Sequence, residues 1–444
     1  MLAIRGGRLY DCTGSAPVEP ANVLIEGGRI RAVGPAAAVA IPETASVIDA
    51  AGRTVMPGLV DMHVHVVLSG DDALYCWLGA GVTSVRDVGA QPEYLLPLRD
   101  EIAAGRRVGP RIFSYGPALN TVPLVSGDQL GPELTALIAR EIADAEAGER
   151  AVEELIASGV DGIKLYAAVD PRTMQRMIRA VDGRVPVTGH LARTWASEAT
   201  AAGIDGLEHI YASLYQDVAR PEDRHTRDGG NSLSQNPGYW GQLASGWARA
   251  DLDADHVNAL IEGLVERRVA LSPTTTLITG GSRSLHEPGL RYLPASLTPE
   301  RRRRLLWRMP DSEGGEGDSE VRERSRANQL ELLGRLHRAG GIIVASTDTP
   351  FANMMPGFSL HLELAELVEA GLPNADVLQA ATRVAAQVLR RDEELGTLEV
   401  GKIANVLILD GDPLVRIDAT RDIVAVIKDG VSYEPEKLLG QVRV

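Results

Sequence analysis

Two histidines lie two residues apart at the end of an apolar segment, LVDMHVHV at Leu59–Val66. On a β-strand, residues two apart face the same side, so the imidazoles of His63 and His65 point together. A single histidine on an apolar strand is more often a hydrogen-bonded core residue, but a pair in register at a strand end has little apolar reason to be there. Because neutral imidazole is the commonest metal ligand, the pair predicts a metal site.

Three further candidates for the same site stand at the ends of later apolar segments. His190 closes VPVTGH, His209 lies in GLEHI, and Asp348 ends IIVASTD. A carboxylate in an apolar segment is costly to bury unless it is paired or bound to a cation. Each of the three, taken singly, is equally compatible with a hydrogen-bonded core or capping residue. Taken with the histidine pair, they favour a shared cation site.

Lys164 occupies the apolar segment GIKLYA, in a chain with only four lysines among its 45 basic residues. A buried ammonium is penalised, and its pKa falls. A neutral amine can react with carbon dioxide to form a carbamate, whose two oxygens can bridge two cations. The alternative interpretation is a buried ion pair between Lys164 and a carboxylate.

Two tyrosines and two arginines are candidate substrate contacts. Tyr166 and Tyr211 each lie two residues beyond a candidate ligand, so strand parity places each phenol near the site. Packing or a hydrogen bond at the barrel rim is the alternative interpretation for both tyrosines. Arg193 and Arg283 fall in the loops after the fifth and seventh strand segments, where a guanidinium could bind a substrate carboxylate.

Eight β-like segments carry these residues and alternate with amphipathic helical stretches, which is typical of a parallel sheet covered by helices. The segments are Val55–Val66, Thr83–Val88, Arg111–Gly116, Gly162–Ala167, Val185–His190, Gly206–Ile210, Ala270–Leu277 and Gly341–Pro350. The helices predicted between them include Leu134–Ser158, Thr173–Val181, Trp195–Ala202, His256–Arg268 and Glu320–Ala339. We therefore predict an α/β fold, a (β/α)8 TIM barrel, with the active site at the carboxyl ends of its strands.

Short β segments also occupy both ends of the chain, and neither end has enough of them to bury a sheet face alone. We predict that the two ends pair into one small composite β-sandwich domain, made of residues 1–54 and 395–444, around a barrel of residues 55–394. The long connection Tyr211–Asp251 is a candidate substrate lid.

Composition narrows the classes of partner. The 444 residues include 60 acidic and 45 basic side chains, for a net charge of −15, which argues against a nucleic-acid or anionic-membrane surface. No apolar run approaches the ~20 residues of a membrane-spanning helix, and two distant cysteines cannot build a disulfide framework. The opening MLAIRGGRLY lacks the features of a signal peptide, which predicts a cytoplasmic protein. A small-molecule substrate is expected, and a homo-oligomer is left open.

The combination of these motifs resembles the amidohydrolase superfamily over essentially the whole chain. The matching phrases are VMPGLVDMHVH, GVTSVRDVG, GIKLY, a histidine after each of the next two strands, STD at Ser346–Asp348, and the ending LGTLEVGKIANVLILDGDP at Leu395–Pro413. By position, the resemblance implies a first-strand HxH pair, a carboxylated lysine, two later histidines and a final-strand aspartate; these are His63 and His65, Lys164, His190 and His209, and Asp348.

This resemblance implies a binuclear enzyme similar to bacterial prolidases and ochratoxin-hydrolysing amidases. Its cofactors would be two divalent metal ions, with Zn²⁺ preferred, that share the Lys164 carbamate and a bridging hydroxide. Asp348 would act as general acid and base in hydrolysing the amide of an N-acyl amino acid, a dipeptide or an aryl amide. The stretch Ser114–Gly127 lacks the histidine of the Gly-Gly-His loop common in prolidase-like relatives, which argues against a simple X-Pro peptidase.

The sequence leaves three alternatives open. The first is a lactone, carbamate or cyclic-amide hydrolase that uses the same site. The second is a mononuclear deaminase or chlorohydrolase, which does not need Lys164. The third is a binding or scaffolding protein without catalysis.

Overall fold

The computed structural model describes residues 1–122, 127–225, 239–277, 294, 297–298, 300–301 and 319–443. The strands are β1 (Leu2–Leu9), β2 (Val18–Glu26), β3 (Arg29–Pro35), β4 (Ser46–Asp49), β5 (Thr54–Pro57), β6 (Leu59–Val64), β7 (Val82–Asp87), β8 (Arg111–Ser114), β9 (Ala118–Asn120), β10 (Ala139–Glu141), β11 (Ile163–Leu165), β12 (Val187–His190), β13 (Gly206–Glu208), β14 (Ala270–Ser272), β15 (Ile342–Ile343), β16 (Val406–Leu409), β17 (Ile423–Lys428) and β18 (Val431–Tyr433). The α-helices are α1 (Val66–Ser69), α2 (Ala73–Gly79), α3 (Pro92–Ala103), α4 (Gly127–Ile138), α5 (Ala145–Ser158), α6 (Pro171–Val181), α7 (Ala196–Ala202), α8 (Tyr215–Val218), α9 (Tyr239–Arg249), α10 (Asp255–Glu266), α11 (Ser319–Arg338), α12 (Phe358–Glu369), α13 (Asn374–Ala380), α14 (Arg383–Val388) and α15 (Pro435–Leu439).

Strands from both ends of the chain form one sheet, with the order β18-β17-β16-β5-β1-β2-β3 and β4 beside β1. The apolar strand β16 connects the two parts of this sheet. It pairs antiparallel with β5 from the N-terminal part on one side and with β17 from the C-terminal part on the other. Buried aliphatic residues from both ends share one cluster; they include Ile4, Val23, Ile25, Val55, Val406, Ile408 and Ile427. The pairing of the two ends is therefore present, while the second layer of the expected sandwich and the domain boundaries stay predictions.

The strands between the two ends form two sheets of parallel strands, with the orders β6-β7-β8 and β10-β9-β11-β12-β13-β14-β15. Backbone hydrogen bonds connect the sheets at both junctions: Met62 N donates to Ala345 O at 3.0 Å, and Gly162 N donates to Ser114 O at 3.3 Å. Helices separate most successive strands, so the α/β class predicted from the sequence is confirmed. The order is consistent with the predicted barrel.

Two predicted elements are each divided in the structure. The segment Val55–Val66, predicted as one barrel strand, is β5 in the terminal sheet followed by β6 in the parallel sheet. The break falls at Gly58, where a Cβ would lie 2.3 Å from Thr83 Oγ1, so only glycine permits this close approach. The helix predicted over Leu134–Ser158 is interrupted by β10, which pairs with β9 and supplies that strand with a parallel neighbour. A helical periodicity in the sequence does not reveal this non-local pairing.

Helix starts and ends follow local chemistry. Asp170 caps α6 by accepting hydrogen bonds from Arg172 N and Thr173 N, both at 3.1 Å, and Pro171 occupies the first helical position. Gly159 ends α5 in the left-handed conformation, with φ +89°. Among the described helices, none combines the length and the hydrophobicity that crossing a bilayer requires.

Candidate metal centre

The first histidine pair and the final aspartate meet where β6 and the segment after β15 end. His63 Nε2 lies 3.2 Å from Asp348 Oδ1, and His65 Nε2 lies 3.1 Å from the same oxygen. The three ligand atoms all lie within 4.8 Å of one another, and all three side chains are buried. A compact group of two imidazoles and a carboxylate is a donor set that suits a divalent transition metal.

The two later histidines complete a chain of rings beside this group. The ring centroids of His63 and His209 are 4.6 Å apart, and those of His209 and His190 are also 4.6 Å apart. His209 Nδ1 lies 3.9 Å from Asp348 Oδ2 and 2.8 Å from Thr274 Oγ1. Residues that are up to 285 positions apart in the sequence therefore converge at the carboxyl ends of the strands, as the barrel prediction requires.

Burial and neighbouring charge set the protonation of these groups. Burial, reinforced by the nearby amine of Lys164, lowers the pKa of His190 to about 3. Burial also holds the pKa of His209 well below its usual value, against the attraction of Asp348. For Asp348 itself, burial alone would raise the pKa, but His63 and His209 hold it well below the usual range. Two neutral imidazoles and an ionised carboxylate are the protonation states that bind a cation.

Lys164 lies within this cluster and is 2% exposed. Burial lowers its pKa to about 8, although the carboxylate of Glu208 opposes the shift. Among the described residues, no hydrogen-bond partner reaches Lys164 Nζ or His190 Nε2. The ion pair that was the alternative for Lys164 is therefore absent from the described part of the chain. Buried nitrogens without protein partners, beside neutral imidazoles and a carboxylate, fit the metal ions that the sequence predicts.

Three residues at the site have left-handed backbone conformations, which non-glycine residues seldom adopt. The φ angles are +62° at His209, +49° at Thr274 and +63° at Asp348. In a regular strand Glu208 and His209 would face opposite sides, but both side chains contact His63 in the structure. Such strain concentrates at functional sites, and here it directs adjacent side chains into one interior.

The predicted tyrosines lie against the histidine rings. The ring centroids of Tyr166 and His190 are 4.8 Å apart, and those of Tyr211 and His209 are 5.4 Å apart. Trp240, on α9, extends this row with its ring 5.2 Å from Tyr211. The structure thus places both tyrosines beside the candidate ligands.

Of the two predicted arginines, Arg193 lies within the described residues. Arg193 follows β12, and its backbone N donates to Ala167 O at 2.9 Å, which brings this loop beside the one that follows Lys164. Its side chain is half-buried, and its charge contributes to lowering the pKa of Asp170, the residue that caps α6. Arg283 lies outside the described residues. The lid predicted over Tyr211–Asp251 includes residues 226–238, which are also outside them.

Several buried charged residues beneath the ligands were not assigned a role from the sequence. Glu208 Oε2 lies 2.7 Å from His63 Nδ1, and Arg86 donates to Glu208 Oε1 at 2.6 Å. Asp61 accepts hydrogen bonds from Thr347 N and Thr347 Oγ1, at 3.1 and 2.7 Å, and so connects β6 to the segment that carries Asp348. These residues could have been recognised in the sequence as charged side chains inside otherwise apolar strands. Burying such a charge is energetically costly unless it is paired.

A sequence model of the amidohydrolase family matches residues 54–433. The chain belongs to this family. The similar solved structures include a putative prolidase from Bifidobacterium longum, with 23% identity over 97% of this chain and 94% of that chain and a TM-score of 0.69. Another is the A. niger ochratoxinase, with 21% identity over 98% of this chain and 97% of that chain and a TM-score of 0.67. These likenesses show that the amidohydrolase shares their fold.

Curated relatives match this amidohydrolase over short segments. Adenine deaminase 3 of Rhizobium meliloti (strain 1021) is 43% identical over 65 residues, which is 15% of this chain and 11% of the relative. A dihydroorotase of Geobacter sulfurreducens is 45% identical over 65 residues, which is 15% of each protein. These segments span a small part of the relatives' lengths, so activity and substrate are matters for proposal.

Proposed function

We propose that this amidohydrolase is a metal-dependent hydrolase that cleaves an amide bond in a small molecule such as an N-acyl amino acid, a dipeptide or an aryl amide. The observation that carries the proposal is the convergence of His63, His65 and Asp348, whose ligand atoms lie within 4.8 Å of one another. Two further histidine rings and the amine of Lys164 extend the cluster. We also infer that the two parallel sheets close into the (β/α)8 barrel, since backbone hydrogen bonds connect them at both junctions.

The proposed metal ligands share burial and a position at the ends of parallel strands. They are His63, His65, Lys164, His190, His209 and Asp348. We propose that they would hold two divalent cations, preferably Zn²⁺, with Lys164 contributing as the carbamate that it would form with carbon dioxide. Cations bound there supply Lewis acidity and lower the pKa of water toward neutrality.

Asp348 is the proposed general acid and base. Its pKa lies well below the usual range because His63 and His209 stabilise the carboxylate, so at neutral pH it is ionised and presents hydrogen-bond acceptors. The left-handed backbone at Asp348 aims its two oxygens at different histidines, with Oδ1 near His65 and Oδ2 toward His209. In this position it takes the proton of the attacking water and returns it to the leaving amine.

The substrate contacts follow from the residues around the cluster. The phenol of Tyr166 or Tyr211, each against a candidate ligand, can donate a hydrogen bond to the substrate carbonyl. Arg193 can bind a substrate carboxylate, and replacing it by Gln should raise KM for N-acyl amino acids and leave KM for their amides unchanged. Neighbours named prolidase, Xaa-Pro dipeptidase and ochratoxinase support an amide substrate.

The test combines metal analysis with a substrate panel. We expect about two zinc-like ions per chain in protein purified without chelator and in bicarbonate, together with turnover of N-acyl amino acids that chelation abolishes. Turnover confined to lactones, carbamates or cyclic amides would replace the amide assignment while keeping the site. A single ion per chain with deamination activity would support the mononuclear alternative. Full activity after complete metal removal would refute the proposal.

A further inference from the structure

A fully buried set of polar side chains lies beneath the proposed metal ligands, and we call it the Glu208 network. Its members come from four strands and are Arg86, Thr188, Glu208 and Ser272. Glu208 is 0% and Arg86 is 1% exposed. The network touches the candidate metal centre where Glu208 Oε2 lies 2.7 Å from His63 Nδ1.

The hydrogen bonds around Glu208 define where the protons are. Its Oε1 accepts from the guanidinium of Arg86 at 2.6 Å and from the hydroxyl of Thr188. A guanidinium has donors only and keeps its charge in proteins, so the facing carboxylate is ionised and has acceptors only. The short contact between Glu208 Oε2 and His63 Nδ1 therefore requires the proton on Nδ1.

The consequence for His63 is a fixed tautomer. With Nδ1 bonded to Glu208, Nε2 is the ring nitrogen left for a cation, and it lies 3.2 Å from Asp348 Oδ1. Arg86 is itself fixed, because it donates to Met62 O at 2.5 Å and to Ser272 Oγ at 2.9 Å. The ring of His63 is therefore oriented by Glu208, and Glu208 is held in place by this arginine.

We propose that Glu208, held by Arg86 and Thr188, is a positioning residue that fixes the Nδ1–H tautomer of His63 and so presents Nε2 to the metal. This inference rests on the proposed function, because it assumes that His63 binds a cation. A carboxylate that accepts from the second nitrogen of a ligating histidine orients the ring and makes the ligating nitrogen more basic. Glu208 precedes His209, and the left-handed backbone at His209 allows both side chains to reach His63.

The test replaces the carboxylate with the amide of the same shape, Glu208→Gln. An amide has one acceptor oxygen, so it can accept from Arg86 or from His63 Nδ1 but cannot serve both. We expect zinc affinity, measured by competition with a chromogenic chelator, to fall by about 10- to 100-fold. Glu366→Gln is the matched control, because Glu366 is also buried and paired with an arginine, Arg326, but lies on helix α12 away from the ligands. Its zinc affinity should equal that of the native protein.

A spectroscopic measurement separates positioning from a merely structural role. In zinc-loaded native protein with ¹⁵N-labelled histidine, we expect an exchange-protected downfield Nδ1–H signal that disappears in His63→Gln and shifts or is lost in Glu208→Gln. Equal zinc affinity in Glu208→Gln and the native protein, or a native His63 that is unprotonated at Nδ1, would overturn the inference. The second of these measurements needs no folded Glu208 variant. A native protein that binds no divalent cation would instead refute the proposed function.

Discussion

Replacing Lys164 by Met should have opposite effects on folding stability and on metal binding. Burial lowers the pKa of Lys164 from its usual 10.5 to about 8 in the metal-free protein. At 1.36 kcal/mol per pKa unit, this difference corresponds to a cost of about 3 kcal/mol for keeping the buried ammonium charged. Methionine has a similar length and no charge, so the metal-free Lys164→Met protein should be more stable by an amount of this order at pH 7.

The difference in folding stability between Lys164→Met and the native protein should depend on pH. Because the folded-state pKa lies below the unfolded-state value, the unfolded chain binds more protons between pH 8 and 10.5, and native stability rises through that range. Below about pH 8 the full cost is present. The advantage of Lys164→Met over the native protein should therefore be largest near neutral pH and should shrink as the pH rises toward 10.5.

The assay is urea unfolding in the presence of chelator, alongside elemental analysis without it. With an m-value of roughly 3 kcal/mol/M or more, the midpoint of Lys164→Met should move up by at most about 1 M. Its metal content should fall from about two ions per chain to one or none. Lys428→Met is the control, because the buried Lys428 is paired with Asp429 at 2.6 Å. Burial lowers the pKa of Lys428 as well, so metal content is the property that separates the two variants, and Lys428→Met should keep its metal.

One pattern of results would refute this reasoning. A Lys164→Met protein that is less stable than the native protein in chelator, and that retains its full metal content, would show that Lys164 stabilises the fold through interactions of its own. Lys164 would then be a residue that stabilises the fold, and not one that lowers folding stability in order to bind metal.

Three further outcomes follow from the same geometry. Asp348→Asn should lower kcat by about 10²- to 10⁴-fold in steady-state assays, and near-native turnover would exclude its acid–base role. Burial lowers the pKa of His361 to about 3, so below pH 6.5 the unfolded chain binds a proton that the native state does not bind. The free energy of unfolding should therefore decrease as the pH is lowered through that range. The urea midpoints measured at pH 7 and at pH 5 should differ less in His361→Gln than in the native protein. In Gly89→Ala the new Cβ would lie 2.7 Å from His65 Nδ1, so zinc affinity should fall about tenfold by chelator competition. Gly263→Ala, with nothing within 4 Å of its Cβ, should leave zinc affinity unchanged.

The sequence by itself determined which residue types were available for chemistry. The spacing of His63 and His65 places two imidazoles on one side of a strand, because side-chain direction alternates with every residue. A lysine or an aspartate inside an apolar segment is recognisable for a similar reason, since its burial cost has to be offset. These are local properties, and the structure brings the residues so identified into one cluster.

Only the tertiary structure decided which distant groups satisfy one another. The contact of Glu208 with His63 joins residues 145 positions apart, and no periodicity in either segment indicates it. The same holds for β10, whose residues continue a helical pattern but pair with β9, and for β5, whose partners β1 and β16 come from opposite ends of the chain. A local pattern states that a charge or a strand edge needs a partner, but the partner's identity depends on how the whole chain packs, because hydrogen bonds and burial are satisfied in three dimensions.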